Sequence, residues 1–390
     1  MKTRTIRGIQ TGSAALAAVL VGLGTAGCTA KETKPADAGT AASVVITVDA
    51  TDTECALSAT TAATGASTFV ITNNGTKATE FYVYGEGGRV LAEVENVSPG
   101  LERKLVVQFS RPGTYQTACK PGMVGDGIRA DFTVSGDALA TNTGGKLKDA
   151  AEEYQRYVDS QADALVPAVE SFVAAIKAGD IESAKAQYPT SRVPYERIEP
   201  VAESFPDNLD PRIDLREADL EPGQRWTGFH RLEKDLWVSG LQPDTNAVAD
   251  QLLADVKELK DGISTPGYTI EPLQIAGGAQ ALLDEVATSK ITGEEDIFSH
   301  TDLWDFNANL EGSRAAVAAV RPILEERDHE LGERVDERFD AVEALLNKLR
   351  AGDGFVLYTT VTESQRQELS RAIDALGKEV SQVQGVIAAQ

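Results

Sequence analysis

The hydrophobic pattern of this chain changes its period once, near residue 147. Over residues 44–135, apolar and polar side chains alternate in short runs such as VVITVDA and STFVITNN, separated by turn sequences such as NNG, GEGG and RPG. Beyond the change, apolar residues recur every three or four positions in long segments such as AAEEYQRYVDSQADALVPAVESFVAAIKAG. Alternation is typical of half-buried strands, and the longer period is typical of amphipathic helices. We therefore predict a multidomain fold: an all-β sandwich at 44–135, a linker at 136–146 and an all-α helical bundle at 147–390.

The first 28 residues predict export from the cytoplasm. A basic start is followed by the apolar run AALAAVLVGLGTAG, which is too short for a comfortable membrane span, and by small residues before Cys28. LGTAGC resembles the lipobox of bacterial lipoproteins, although Thr25 stands where that pattern usually has an aliphatic residue. We expect residues 1–28 to form a lipoprotein signal peptide, Cys28 to be lipidated, and residues 29–43 to form a flexible tether. The only membrane contact would then be the lipid anchor.

The charge balance is strongly acidic, with 60 Asp and Glu against 37 Lys and Arg and a net charge of −23. Such a field repels phosphate backbones, which argues against a nucleic-acid partner. It suits a cation-binding protein, because carboxylates raise the local concentration of cations. An acidic surface that only improves solubility explains the same charge equally well.

The candidate residues of the predicted sandwich are Cys55, Cys119 and Glu80. The stretch PGTYQTACKPGM, in which Cys119 ends a strand and Met123 follows in a loop, is similar to the arrangement in cupredoxins. A blue-copper site needs two histidines beside its cysteine, and the first histidine of the sequence after the leader is His230. Electron transfer of that type is excluded. Two alternatives remain open for the cysteines, a disulfide and a thiolate metal site.

The candidate site of the helical half is in GFHRLEKDLW, which contains His230 and Glu233. Residues three apart are neighbours on a helix surface, so this pair can bind one borderline metal ion together. A hydrogen-bonded surface pair is the alternative. Further acidic or histidine residues that could join the site are Glu196, Glu199, Glu203, Asp210, Asp214, Glu217, Glu294, Glu295, Asp296, His300 and Asp302. A carboxylate-rich site with one histidine favours iron over soft copper(I).

Four motifs of the helical half resemble the imelysin-like domain in order and spacing: YERIEPVAESF, DPRID, GFHRLEKDLW and ITGEEDIFSHTDLWDF. Together with a preceding cupredoxin-like domain that lacks histidines, the chain is similar to the EfeO family of extracytoplasmic iron-uptake components. The resemblance covers nearly all of the sequence after the leader. It implies a metal site formed by His230 and Glu233, assisted by Glu196 or Glu199 and by Asp214.

The resemblance also implies a second metal site in the cupredoxin-like half, at positions matching Cys55, Cys119 and Glu80. Its expected cargo is iron, Fe²⁺ or Fe³⁺, with copper and zinc as alternative metals. Its expected partners are a membrane iron permease of the EfeU kind and a haem peroxidase of the EfeB kind. On this hypothesis the chain is exported, captures iron on the outer side of the cell membrane and delivers it to the permease.

A zinc-dependent metallopeptidase is the alternative function, because zinc carboxypeptidases also use an H-x-x-E motif. His300 would then be the third, distant ligand. The sequence contains no HExxH motif, and nothing in it marks a positioned general base. We therefore expect a binding protein and no enzyme.

Overall fold

The computed structural model describes residues 44–139, 145–206 and 209–388. The predicted signal peptide, the predicted lipidation site Cys28, the tether and residues 140–144 of the predicted linker lie outside these residues.

The first described segment is all β, as the alternating pattern predicts. Its strands are β1 Val44–Ala50, β2 Cys55–Leu57, β3 Thr61–Ala63, β4 Gly65–Asn73, β5 Thr79–Tyr84, β6 Val90–Val97, β7 Glu102–Phe109, β8 Gly113–Pro121 and β9 Ile128–Ser135. They form one sheet in the order β2-β1-β4-β7 and a second in the order β3-β9-β8-β5-β6.

The two sheets enclose an aromatic core. Phe69 of the first sheet packs against Phe81 and Phe132 of the second, with ring centroids 5.3 Å and 5.6 Å apart. Cys55 of β2 and Cys119 of β8 form a disulfide with Cα atoms 5.6 Å apart, so a covalent bond joins the sheets as well. Apolar burial and this cross-link together hold the sandwich closed.

The second segment is helical. Its helices are α1 Gly145–Lys177, α2 Ile181–Glu196, α3 Glu199–Glu203, α4 Leu209–Asp214, α5 Gly228–Lys234, α6 Thr245–Ile263, α7 Pro272–Glu285, α8 Asp302–Arg327, α9 His329–Leu346, α10 Glu363–Val380 and α11 Val383–Ala388. A short hairpin of β10 Arg350–Ala351 and β11 Gly354–Phe355 lies between α9 and α10. None of the described helices combines the length and the apolar composition needed to cross a membrane.

Amphipathic stripes assemble the bundle. The buried face of α1 includes Tyr154, Val158, Leu165, Val169 and Phe172, at spacings of three, four or seven residues, and α1 packs against α2, α6 and α8. The predicted fold class, a sandwich followed by a helical bundle, is confirmed. One boundary differs, because α1 already begins within the predicted linker.

The sandwich packs directly on the bundle through β6, β7 and α7. The side-chain amide of Gln274 donates a hydrogen bond of 3.2 Å to the Leu91 carbonyl. The Val106 backbone N–H donates one of 3.1 Å to the side-chain oxygen of Gln384. The helices therefore contact one edge strand of each sheet, β6 and β7.

Candidate metal centre

The centre is organised around His230, on the first turn of α5. The preceding Gly228 has φ of 85°, and a Cβ there would collide with the Ile213 carbonyl of α4. Only glycine allows the two helices to approach so closely. The hydroxyl of Thr227 donates a 2.9 Å hydrogen bond to the Arg212 carbonyl and fixes the same contact. The tight junction brings the last residue of α4, Asp214, beside the imidazole.

The Nε2 atom of His230 faces two carboxylates. It lies 3.6 Å from Asp214 Oδ1 and 3.4 Å from Glu295 Oε1. His230 is 2 % exposed, and Nε2 has no hydrogen-bond partner within the described part of the chain. A buried ring nitrogen without a partner is costly unless something else satisfies it.

The Nδ1 atom faces a second pair of carboxylates. It lies 3.4 Å from Glu233 Oε2 and 3.8 Å from Asp296 Oδ1, with the Tyr188 hydroxyl at 3.4 Å. Asp296 is itself oriented by a 2.9 Å hydrogen bond from Tyr188. Each of the two ring nitrogens of His230 thus faces oxygen atoms.

The segment between α7 and α8 supplies Glu295 and Asp296, and Glu233 anchors it. Glu233 Oε1 accepts hydrogen bonds from the backbone N–H groups of Ser299, at 2.6 Å, and Phe298, at 3.1 Å. His300 follows in the left-handed region, with φ of 62°. Such strain in a residue other than glycine persists only where the surroundings impose it. The loop is therefore held in one conformation at the centre.

A buried arginine crosses the centre. The Arg192 guanidinium of α2 bonds to Asp214, donates to Glu196 at 2.6 Å, and reaches Glu295 and Asp305 at 3.2 Å each. Its planar fork matches carboxylates from several segments at once. Arg192 thereby ties α2, α4, α8 and the loop together.

A buried lysine lies on the far side of the same carboxylates. Lys290 is 0 % exposed, and its Nζ lies 3.2 Å from Glu196, 3.3 Å from Glu199, 3.7 Å from Glu285 and 3.8 Å from Glu295. Lysine is almost never fully buried unless it is paired. The centre thus contains two basic side chains, Arg192 and Lys290, among its carboxylates.

Electrostatics divide the carboxylates into two kinds. Burial opposes ionisation of Asp214, but Arg192 and His230 hold its pKa below the ordinary value. Burial likewise opposes ionisation of Glu295, yet Lys290 and His230 hold its pKa well below the ordinary value. Both are charged at neutral pH and are good ligands for a cation.

The carboxylates farther from the imidazole behave differently. Burial raises the pKa of Glu196 to about 7, against the opposing charges of Lys290 and Arg192. Burial also raises the pKa of Asp305 well above its ordinary value, despite Arg192. These groups carry a proton for much of the time near neutrality, which makes them poorer ligands.

The surrounding carboxylates favour the protonated form of His230. Burial and the Arg192 charge lower its pKa, but the carboxylates of Asp214 and Glu233 outweigh them and hold the pKa well above the ordinary value. Since a ring nitrogen must be unprotonated to bind a metal, metal and proton compete for His230.

Three groups of ligand atoms lie within 4.8 Å of one another in the described residues and could hold a metal ion. They are Asp214 with His230 and Glu295, His230 with Glu233 and Asp296, and Glu196 with Glu295 and Asp305. Imidazole nitrogen with carboxylate oxygens suits iron and zinc. Arg192 already bonds to all three members of the last group.

The structure brings together three of the five residues predicted for this centre, namely His230, Glu233 and Asp214. It places Glu196 and Glu199 around Lys290. Neither lysine nor arginine was among the predicted residues. The motif ITGEEDIFSHTDLWDF did contain the two additional carboxylates, Glu295 and Asp296, at the imidazole.

The sandwich holds the residues that were predicted to form either a second metal site or a disulfide. Cys55 and Cys119 form a disulfide, so of the two open alternatives the structure contains the bonded form. Glu80 lies opposite Lys120 in the ladder, whereas Cys119 lies opposite Phe81. Adjacent residues of a strand point to opposite faces, so Glu80 lies outside the core that holds the sulfur atoms.

A cavity between the sandwich and the bundle lies away from the centre. It measures about 660 Å³ and is lined by residues that include Arg89, Tyr154 and Tyr268. None of the residues around His230 lines it. His300 belongs to none of the ligand groups found in the described residues. In the described residues, His300 is therefore not placed as the distant third ligand of a peptidase site.

Comparison with known proteins agrees with this architecture. Residues 150–383 match the family model for imelysin, and residues 15–134 match the model for the cupredoxin-like domain. Proteins named iron uptake system component EfeO from Escherichia coli strain K12 and from Shigella flexneri are each 40 % identical over 351 residues, spanning 88 % of this chain and 91 % of the relative.

Among solved structures, reduced auracyanin from Roseiflexus castenholzii matches 24 % of this chain and 98 % of its own, with 15 % identity and a TM-score of 0.21. Two findings identify the family. The EfeO proteins are 40 % identical to this chain, and the imelysin model matches more than half of it. The chain belongs to the imelysin family and, with its cupredoxin-like domain, to the EfeO group within it.

Proposed function

We propose that the chain captures an iron ion outside the cell membrane and passes it to a membrane permease. One observation carries the proposal: the buried Nε2 atom of His230, without a hydrogen-bond partner in the described residues, lies between the ionised carboxylates of Asp214 and Glu295. A cation bonded to all three would satisfy the nitrogen and both charges.

The ligand chemistry favours a borderline or hard metal. One imidazole and two carboxylates suit Fe²⁺ and Fe³⁺, and they also suit Zn²⁺. The centre offers no thiolate or thioether ligand, which soft copper(I) prefers. The relatives' name, iron uptake system component, supports iron as the cargo of this chain.

Binding without catalysis fits the geometry better than peptide hydrolysis. A catalytic zinc site needs an open coordination position that a substrate can reach. Here His230 and Glu233 are 2 % and 0 % exposed, and a peptide has no access to them. A closed site surrounded by carboxylates retains an ion and protects it from water.

The cellular setting of the proposal follows from the family and the leader. The chain would be exported, anchored through lipidated Cys28 and tethered by residues 29–43. Its partners would be an EfeU-like iron permease and an EfeB-like haem peroxidase. The net charge of −23 would raise the concentration of cations around the chain.

Isothermal titration calorimetry tests the function. The metal-free protein is titrated with Fe²⁺ under anaerobic conditions and, separately, with Zn²⁺. We expect one tight site that is lost in His230→Ala. His329→Ala is the matched control, because His329 is exposed and its Nδ1 contacts only Glu325 closely, at 2.7 Å. Tight binding that persists in His230→Ala would refute the proposed centre.

The same samples separate binding from hydrolysis. The zinc-loaded protein is incubated with a mixture of peptides, which is then analysed by mass spectrometry. We expect no cleavage. Cleavage that requires His230 would favour the peptidase instead.

A further inference from the structure

Lys290 has no role in the proposed site, yet it lies in the middle of the carboxylates that surround it. Its ammonium is fully buried and is within 3.8 Å of four carboxylate groups. This surrounding of oxygens resembles what a cation site provides. The lysine therefore behaves as a cation that the protein itself supplies.

One oxygen atom connects Lys290 to the metal site. Glu295 Oε1 lies 3.4 Å from His230 Nε2, 3.2 Å from the Arg192 guanidinium and 3.8 Å from Lys290 Nζ. A metal ion bound by His230 and Glu295 would use the same oxygen and would lie close to both permanent cations. Like charges so close in a buried site repel strongly. A bound metal ion therefore destabilises the position of either Arg192 or Lys290.

Of the two cations, Arg192 is held more firmly among the carboxylates. It bonds to carboxylates on α4, α8 and the loop, and its guanidinium carbon lies 5.3 Å and 5.7 Å from the ring centroids of Phe229 and Tyr188. A planar fork fixed at several points is difficult to displace as a unit.

Lys290 is the more mobile cation. Its contacts of 3.2 to 3.8 Å are longer than the usual charge-assisted hydrogen bond of about 2.8 Å. It is the last residue of a π-helical turn, Val286–Lys290, that continues α7. Such turns are rare and frequently mark functional positions. A flexible four-carbon stem at the end of this turn can move without unfolding the bundle.

The surrounding carboxylates also give a direction for the movement. The side chain of Glu196 is fully buried, whereas that of Glu285 is 21 % exposed. Glu285 is therefore the partner of Lys290 nearest to solvent. An ammonium repelled from Glu295 can keep this outer partner while it turns toward water.

We infer that Lys290 is an exchangeable internal counter-ion, which fills the carboxylate cluster when the protein is empty, moves outward toward Glu285 when a metal ion binds at His230 and Glu295, and returns when the ion leaves. The exchange rests on the proposed function, since it regulates the same site. It keeps the buried carboxylates neutralised in both states. It also lowers the net affinity for the ion, so that the cargo can be released.

Chemical labelling of the unaltered protein tests the movement. Lysines are acetylated with an N-hydroxysuccinimide ester at mildly alkaline pH, with and without saturating Zn²⁺, and quantified by mass spectrometry. We expect acetylation of Lys290 to rise about tenfold with the metal, because coupled binding events commonly change an equilibrium by that order. Exposed Lys146 should not change. If calorimetry shows that Zn²⁺ binds while Lys290 stays protected from acetylation, the exchange is refuted. The proposed function would still stand.

Removal of the counter-ion tests the competition. Lys290→Met should bind Zn²⁺ and Fe²⁺ about tenfold more tightly and release them more slowly. Lys260→Met is the matched control, since it removes the same charge from an exposed ion pair with Asp163. Equal or weaker binding by Lys290→Met would mean that the lysine only assembles the carboxylates. No metal binding by the unaltered protein would refute the proposed function, and the exchange with it.

Discussion

Arg192→Met tests how the empty centre is held together. Methionine has a similar length and no charge, so the substitution removes the guanidinium with little change in packing volume. In the structure this guanidinium contacts Glu196, Asp214, Glu295 and Asp305, and all of these side chains are buried. The variant leaves their charges facing one another without the cation that separates them.

The expected loss is large. Removing one partner of a buried ion pair costs about 3–5 kcal/mol, because the remaining charge stays buried. In a bundle of this size each kcal/mol lowers the melting temperature by about 2–4 °C, so a decrease of roughly 10 °C is expected at neutral pH. The difference should shrink below about pH 7, since protonation of Glu196, whose pKa burial raises to about 7, removes part of the repulsion.

Thermal unfolding followed by far-ultraviolet circular dichroism measures this difference. Arg314→Met is the control, because Arg314 also pairs with two carboxylates, Asp340 and Glu343, but is 43 % exposed. An exposed pair contributes at most about 1 kcal/mol. If the two variants were equally stable, the account of Arg192 as the cation that holds the centre together would be refuted.

Three further substitutions or conditions give separate tests. Gly228→Ala should cost about 2 kcal/mol or more in unfolding free energy and weaken Zn²⁺ binding, because it combines a positive φ with a collision at Ile213. Gly223→Ala, with φ of 88° and open space, should cost only about 1 kcal/mol and leave binding unchanged. Cys119→Ser should lower stability by about 3 kcal/mol in urea titrations, and reductant should then have no further effect. Burial raises the pKa of Glu196 to about 7, so the folded state holds a proton that the unfolded chain has lost. Stability of the metal-free protein should therefore fall as pH rises from about 4.5 to about 7, and a rise over this range in urea unfolding would contradict the assignment.

The change of period near residue 147 was sufficient to predict both fold classes, since each period reflects which face of an element is buried. The period alone does not indicate where one helix ends and the next begins. The stretch LEERDHELGER contains no proline, and its charges continue the helical pattern, yet α8 ends at Arg327 and α9 begins at His329. Asp328 between them accepts a hydrogen bond from the Leu331 N–H, which is the cap that the pattern could have indicated.

The site was predictable only where its residues are close in sequence or share a motif. His230 and Glu233 follow from helical spacing. Lys290 could not be predicted, because a lysine 60 residues away is expected on the surface unless the fold is known. The face of the sheet on which Glu80 lies could not be predicted for another reason. A shift of one residue in strand register reverses the face of a side chain, and the sequence does not contain that register.

The two oxygens of Glu233 have separate attachments, which affects how any change at this residue is interpreted. Oε1 holds the backbone of the loop, and Oε2 faces the imidazole. Replacement of Glu233 therefore releases the loop and removes a predicted ligand in the same step, so the variant would not separate a folding defect from a binding defect. A relative with another residue at this position would need a different group to hold the loop. Glu233 is therefore constrained by the loop as well as by its place beside the imidazole.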